Sequence, residues 1–299
     1  MRRRSTKILV LFGLMVVAVI CAPLPGMPAP VVSASIPALA RASESSAHPY
    51  RILSLSASAT QMLYAIGAGR QVVGVDKYST YPPGTPLTKL TGAETSAEDY
   101  LYLRPDLVIF AFQTNLVKQL KELDIPSLVL PPATRFAGVY SQITELGTVT
   151  GHLEGADAVK ASLQAHLGDA VRAAKSAGEG KTYYIELDPN YYYTATSKTF
   201  IGAEFSLFGM RDIADAAAHG SAYPAISPEY LLKEDPDYVF LADTVCCHQT
   251  VATFAARPGF GTLRAVKLHH VVGVGDSVAS QWGPHTIETF VGLISSTLR

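Results

Sequence analysis

The sequence predicts an α/β chain of two similar lobes on either side of one long helix. Three observations predict it. Short β-rich runs alternate with helical patterns, as in α/β units around a largely parallel sheet. A thirteen-residue segment recurs once in each half of the chain. Between the two halves, apolar residues recur at helical steps for about six turns.

The first half opens with a strand over Arg51–Ser56 and a helix to about Ala65, for which Ser58 and Gln61 are read as a capping box. Gly67 and Gly69 end that helix, and Val72–Val75 is the next strand. Further strands are expected at Leu107–Phe112 and Ser127–Leu130, flanking a helix over Leu116–Leu123. The second half repeats the style. Strands are expected at Tyr183–Leu187, Tyr238–Leu241 and Val271–Val274, and helices at Phe200–Phe208, Val251–Ala256 and Thr286–Leu298. The intervening helix spans Gly155–Ala177, with Ala156, Val159, Leu163, Leu167, Val171 and Ala174 on its apolar stripe. Such a helix is a rigid spacer where a Gly/Ser linker would be flexible. The same periodicity also fits a helix packed inside one continuous domain. The expected boundaries are 1–47 for an export signal and spacer, 48–148 for the first lobe, 149–178 for the connecting helix and 179–299 for the second lobe.

The N-terminus reads as an export signal. Arg2, Arg3, Arg4 and Lys7 precede an apolar run from Ile8 to Ala22. That run is shorter than the roughly 20 residues of a membrane span and suits a signal core. A Pro/Ala/Ser spacer follows, with small-residue cleavage sites at Val32-Ser33-Ala34 and Ala40-Arg41-Ala42. Cys21 raises the question of a lipoprotein, but Ile20 stands before it where signal peptidases want a small residue. An ordinary signal-core cysteine is the preferred reading and an uncleaved anchor the second. The expected location is extracytoplasmic, periplasmic or tethered to the outer face of the cytoplasmic membrane. Without residues 1–42 the formal charge falls from −1 to −6. A mildly acidic body argues against a nucleic-acid binder, which needs clustered Lys and Arg.

The repeat is the most specific feature. Ser96, Glu98, Leu101, Pro105, Asp106 and Val108 recur as Ser227, Glu229, Leu232, Pro236, Asp237 and Val239, at a constant offset of 131. In each copy Ser is read as an N-cap, Glu as a first-turn anion on the helix dipole, Leu as a core residue and Pro-Asp as the turn into the next strand. Either glutamate alone is an ordinary capping group. As a matched pair they form two equivalent surface charges, which suits a partner that is itself two-fold symmetric.

These residues, with Arg51-Ile-Leu-Ser-Leu-Ser-Ala-Ser-Ala-Thr-Gln-Met-Leu-Tyr-Ala-Ile-Gly-Ala-Gly69, Val73-Gly-Val75, Tyr81-Pro-Pro83 and Leu103-Arg-Pro-Asp-Leu-Val108, carry a resemblance. The chain resembles the periplasmic binding proteins for cobalamin and iron complexes, the class III solute-binding proteins of ABC importers. The resemblance covers roughly residues 50–298. It implies two Rossmann-like lobes joined by a single long helix, a ligand cleft between them and little hinge closure. It also implies an extracytoplasmic binding protein, not an enzyme, that carries a corrinoid or ferric-siderophore-type complex to a permease dimer with its ATPase. Haem is the alternative ligand. In such proteins one glutamate per lobe pairs with permease arginines, positions that match Glu98 and Glu229. A monomer without a cofactor is expected.

Ligand contacts in open α/β sheets come from loops at strand ends. Those loops offer Tyr78, Tyr81, Gln113, Tyr191, Tyr193, Asp276 and Trp282, with Asn115 and Gln281 beside them. Tyr78 matches a position where the cobalamin binders place a ligand-contacting tyrosine, and alternation should turn Tyr192 away from Tyr191 and Tyr193. The chain departs from the cobalamin binders at Gly92 and Ala111, where they carry tryptophans. Cys246-Cys247-His248 lacks the spacing of a structural zinc site. An oxidised Cys246–Cys247 pair is the favoured reading. A metal-binding or redox protein built on that pair is the minority one. No phosphate loop, GxSxG or HExxH motif occurs to support an enzyme.

Overall fold

Each half of the chain builds a four-stranded parallel sheet, and the two sheets have the same strand order. The computed structural model describes residues 51–93 and 96–299; the export signal, the spacer and Cys21 lie outside the described residues. In the first lobe β1 (Ile52–Leu55), β2 (Val72–Val75), β3 (Leu107–Phe110) and β4 (Ser127–Val129) lie in the order β2-β1-β3-β4. In the second lobe β5 (Thr182–Glu186), β6 (Arg211–Asp212), β7 (Tyr238–Leu241) and β8 (Val271–Gly273) lie in the order β6-β5-β7-β8. The strands β1, β3 and β7 are buried throughout and β5 is buried from Tyr183 onward, which is why they read as largely apolar runs. Helix α1 (Ala57–Ala65) follows β1, α2 (Glu98–Leu101) precedes β3, and α3 (Asn115–Glu122) joins β3 to β4.

One long helix joins the lobes, as expected, and a further helix leads into it. Helix α4 (Phe136–Thr150), which the sequence reading missed, ends at Gly151 in the left-handed conformation (φ 75°). Helix α5 (Leu153–Gly178) then runs between the lobes, so the expected connection at 149 begins at Leu153. Two glycines fix its ends. A Cβ on Gly155 would stand 2.1 Å from the Ile66 carbonyl oxygen, and one on Gly178 would stand 2.8 Å from that of Phe208. Backbone therefore meets backbone at both ends of α5, and the helix is wedged onto each lobe.

The remaining helices are α6 (Phe200–Ser206), α7 (Pro228–Glu234), α8 (Val251–Ala255), α9 (Arg264–Lys267), α10 (Asp276–Ser280) and α11 (Pro284–Thr297). Helix α11 packs along α5 and also reaches α1 of the first lobe. One apolar core, running from Ile52 and Met62 through Leu163 and Leu167 to Phe240 and Phe290, joins both lobes. A polar clamp adds to it. Buried Gln61 donates Nε2–H to Gln281 Oε1 and to Thr286 Oγ1, both at 2.7 Å, and accepts from the Thr286 N–H at 3.2 Å. Gln61 is therefore not half of a capping box. The N-cap of α1 is Ser56, whose Oγ accepts from the Ala59 N–H at 3.3 Å. Ser58 accepts instead from the Trp282 N–H at 3.0 Å.

The repeat proves deeper than its identities. The central strand of each sheet is latched by the repeated aspartate. The Arg51 N–H donates to Asp106 Oδ2 at 2.8 Å, and the Thr182 N–H donates to Asp237 Oδ2 at 2.9 Å. Arg51 and Thr182 are themselves 131 apart, as are Arg104 (φ 46°) and Asp235 (φ 44°), which turn the chain ahead of each proline. One expectation is corrected. The repeated leucine is not the core residue, since Leu101 is 38 % exposed and Leu232 only partly buried. The preceding pair, Tyr100 and Leu231, is fully buried, because the short helices present that position to their sheets.

Candidate ligand cleft

Parallel sheets collect their loops at the C-terminal strand ends, and both lobes turn those ends toward a shared cleft. Two adjoining cavities of about 480 and 620 Å³ occupy it, within the size range of small-molecule sites. Phe112, Asp276, Ser280, Gln281 and Trp282 border both cavities. The smaller one is mainly apolar, with Leu187, Phe200, Ile201 and Tyr223 on the second-lobe side and Pro132 and Ala133 on the first. The larger one follows the first lobe past Ser56, Asp76, Lys77 and Tyr78.

The floor is rigidly built. Trp282, 9 % exposed, donates Nε1–H to Gln142 Oε1 at 2.8 Å, and Gln142 in turn donates to the Pro131 carbonyl at 2.6 Å. The indole of the second lobe is thus held by α4. Asp276 accepts from the Val245 and Cys246 N–H groups at 2.9 and 2.7 Å. Burial raises its proton affinity, but these amide bonds outweigh burial and hold the carboxyl below the usual aspartate range. Asp276 is therefore a fixed anion in the cleft floor. Lys77 lies 4.9 Å from the Tyr78 ring centre and is the one cation among the described residues that line the two cavities.

Of the residues picked from the sequence, Tyr78, Asp276 and Trp282 line the cleft together. Gln113 is exposed next to Phe112 but lines neither cavity. Tyr81 stands apart. Its ring stacks on His285 of α11 at 3.7 Å, bordering a separate groove. Tyr191 and Tyr193 are exposed, with ring centres 6.0 Å apart, and lie outside both cavities. Tyr192 points the other way, against Phe260 and under Arg257, but through a turn with Tyr192 at φ 52° and not through strand alternation.

Sequence reasoning missed Phe112 and Tyr223, which are 62 % and 51 % exposed. Phe112 was legible as an aromatic just past a buried strand. It stands one residue after Ala111, a tryptophan position in the cobalamin binders, and projects between the two cavities. Tyr223 sits on a Gly-Ser-Ala-Tyr-Pro loop with no periodicity to place it.

Behind the second-lobe wall lies a buried charged cluster. Arg257 holds Glu186 with two bonds of 2.6 and 2.7 Å, takes Gln249 Oε1 at 2.8 Å and lies 5.0–5.6 Å from the ring centres of Tyr192, Phe254 and Phe260. Asp243 is fully buried, and neither of its carboxyl oxygens meets a donor among the described residues. Burial first and the facing Glu186 carboxylate second push its pKa up to about 7. A protonated Asp243 that donates to Glu186 accounts for both facts.

Glu98 and Glu229 are both exposed in the first turns of α2 and α7. The backbone N–H of Glu229 and the Ser227 hydroxyl hold the Glu229 carboxyl below its ordinary range. Among the described residues no group of three or more His, Cys, Asp and Glu is arranged to hold a metal, and no helix is long and apolar enough to cross a membrane.

Comparisons with known proteins agree with this architecture. A family model described as periplasmic binding protein matches residues 52–278. An ABC transporter substrate-binding lipoprotein of Bacillus subtilis is 30 % identical, with the match covering 80 % of this chain and 77 % of that one. A cobalamin-binding protein of Halobacterium salinarum is 30 % identical over 80 % of this chain and 67 % of its own length. Among solved structures, the periplasmic haem-binding protein of Vibrio cholerae superposes with a TM-score of 0.74 at 20 % identity, covering 84 % of this chain and 99 % of that one. The periplasmic vitamin B12-binding protein of the same organism gives 0.67 at 21 % identity, covering 83 % and 96 %. At these identities the structural likenesses speak to the fold, two α/β lobes with a cleft between them. The chain belongs to the periplasmic binding protein family, the solute-binding components of ABC importers.

Proposed function

We propose that this chain is an extracytoplasmic binding protein that captures a corrinoid, or a ferric complex without net negative charge, and delivers it to an ABC permease dimer with its ATPase. The observation that carries the ligand class is the cleft lining. Tyr78, Phe112, Tyr223 and Trp282 supply large rigid aromatic area, while the charged groups are Lys77, Asp76 and the ionised Asp276. Aromatic faces suit a broad macrocycle. A strongly anionic ligand would meet one lysine against two acids, which disfavours it electrostatically. The 30 % identical cobalamin-binding relative supports the same class. In this reading the chain works as a monomer, has no catalytic role and is held outside the cytoplasmic membrane, which the export signal read from its N-terminal sequence and its lipoprotein relative support.

Delivery rests on Glu98 and Glu229. They stand on equivalent turns of the duplicated lobes, so a two-fold permease would meet the same geometry twice. The test is a double charge reversal, Glu98→Arg with Glu229→Arg. Uptake should fall to the level of a strain lacking the protein while ligand affinity in solution is unchanged. Normal uptake by the double variant would refute the docking role. Haem, the competing ligand, is distinguished by a Soret band on haemin addition.

A further inference from the structure

The loop leaving β7 carries Val245, Cys246, Cys247 and His248, and Cys246 borders the smaller cavity beside Asp276 and Trp282. The loop is pinned from two sides. The Asp243 carbonyl accepts from the Cys247 and Gln249 N–H groups at 3.2 and 3.4 Å, and the Asp276 carboxylate accepts from Val245 and Cys246. Within this frame the two sulfur atoms lie 2.7 Å apart, closer than unbonded sulfurs approach. We propose that Cys246 and Cys247 are joined as a vicinal disulfide in the exported protein, and that this small ring is a redox-sensitive part of the cleft wall.

Several observations support a disulfide over a dithiol or a metal site. The frame already brings the sulfurs together, so closing the bond needs little backbone movement. Both thiols are reachable, Cys246 being exposed and Cys247 partly so. A soft-metal role is disfavoured because, among the described residues, no third His, Cys, Asp or Glu ligand is arranged with the pair. In addition, partial desolvation, Cys247 and Asp276 push the Cys246 thiol above its ordinary range, which disfavours the standing thiolate that a soft metal would bind. An oxidising compartment favours the bond; this clause rests on the export reading.

The chemistry is thiol–disulfide exchange with a small-molecule or protein disulfide, R–S–S–R. One cysteine thiolate attacks a sulfur of the donor and expels RS⁻, giving a mixed disulfide. The neighbouring thiolate then attacks the cysteine sulfur of that bond and expels the second RS⁻. Both thiol protons end on the two departing RSH molecules, and the two electrons lost by the cysteines reduce the donor disulfide. Reduction reverses the sequence and returns two S–H groups to the cleft wall.

The test needs no transport ligand, so its outcome is separable from that of the uptake experiment. Protein recovered from an oxidising compartment is acid-quenched, denatured and alkylated with iodoacetamide without reductant, then digested and weighed. The peptide holding Cys246 and Cys247 should be unalkylated and two hydrogens lighter than the dithiol, and should accept two alkyl groups after treatment with a phosphine. Two alkyl groups without reduction, or linkage of either cysteine to another chain, would overturn the proposal. Hydrogen exchange of the intact protein checks the placement in the wall. Amides in residues 243–249 should exchange at least several-fold faster after phosphine treatment in the wild type. They should not respond to phosphine in Cys246→Ser with Cys247→Ser. Equal exchange before and after reduction in the wild type would show that the bond does not shape the loop.

Discussion

Replacing Asp243 by asparagine should remove a pH dependence built into the second lobe. Asp243 is wholly buried and faces Glu186, which Arg257 holds from the opposite side. Its pKa is raised from 3.8 to about 7 in the fold. The sign follows from linkage. The unfolded chain loses this proton near pH 4 while the folded protein keeps it to about pH 7, so the native state binds more protons across that window. The contribution of Asp243 is thus fully present at acid pH, declines from about pH 4 to about pH 7 and is flat above. At about 1.4 kcal/mol per tenfold change in proton affinity, the decline is worth up to about 4 kcal/mol. Taking that figure as an upper bound, about 2–4 kcal/mol is expected. In Asp243→Asn the amide is uncharged at every pH, and its N–H can donate to Glu186 as the protonated acid does. Urea unfolding at about pH 4.5 and about pH 8 gives the comparison. The difference between variant and wild type should be near zero at the lower pH. At the higher pH the variant should be more stable by about 2–4 kcal/mol. Asp212, also raised to about 7 by burial, titrates in the wild type and the variant alike and cancels. A variant destabilised equally at both pH values would refute the raised proton affinity of Asp243.

Other consequences can be checked on the same protein. Glu204, fully buried with its pKa raised well above the ordinary value by desolvation, should behave likewise. Its contribution is largest below pH 4.5 and declines as pH rises, so Glu204→Gln should gain about 1–3 kcal/mol at neutral pH by urea unfolding. Gln61→Ala removes the polar clamp and leaves Gln281 and Thr286 short of partners; a loss of about 2–4 kcal/mol is expected by the same assay. Gly155→Ala drives a methyl into the Ile66 carbonyl and should cost about 3 kcal/mol or more, or abolish soluble protein, whereas Gly292→Ala, which meets open space, should be neutral or better.

Much of the architecture was legible because buried parallel strands are apolar runs and α5 keeps one apolar stripe for its whole length. The duplication was visible as spaced identities, and the structure extends it to Arg51 and Thr182, which share no side-chain type. Both latch through their backbone N–H groups, and Thr182 adds a hydroxyl bond to Asp237 Oδ2 at 3.1 Å that Arg51 does not match, so no shared residue type marked the position. Helix α4 was missed because β-branched residues and two internal glycines dilute its helical pattern. Gln61 was misread for a related reason: its local spacing fits a cap, but its amide is claimed by Thr286, 225 residues away. In the cleft, position after a strand found Tyr78, Asp276 and Trp282. The same rule could not tell that Tyr81 turns onto His285, or that Tyr191 and Tyr193 stand clear of the cavities, because loop direction depends on tertiary contacts.

The central claim is that the cleft between the lobes binds a broad, uncharged or weakly charged metal complex. Trp282 is the single tryptophan of the chain and lines both cavities, so its fluorescence reports on the site without a label. Titration with cyanocobalamin, a neutral ferric hydroxamate complex and haemin should give a saturable change with the corrinoid or the neutral ferric complex. That affinity should be at least tenfold stronger than for haemin and should weaken at least tenfold in Phe112→Ala, equivalent to about 1.4 kcal/mol. No saturable response to any of the three, or tightest binding of haemin with Phe112→Ala unaffected, would contradict the account.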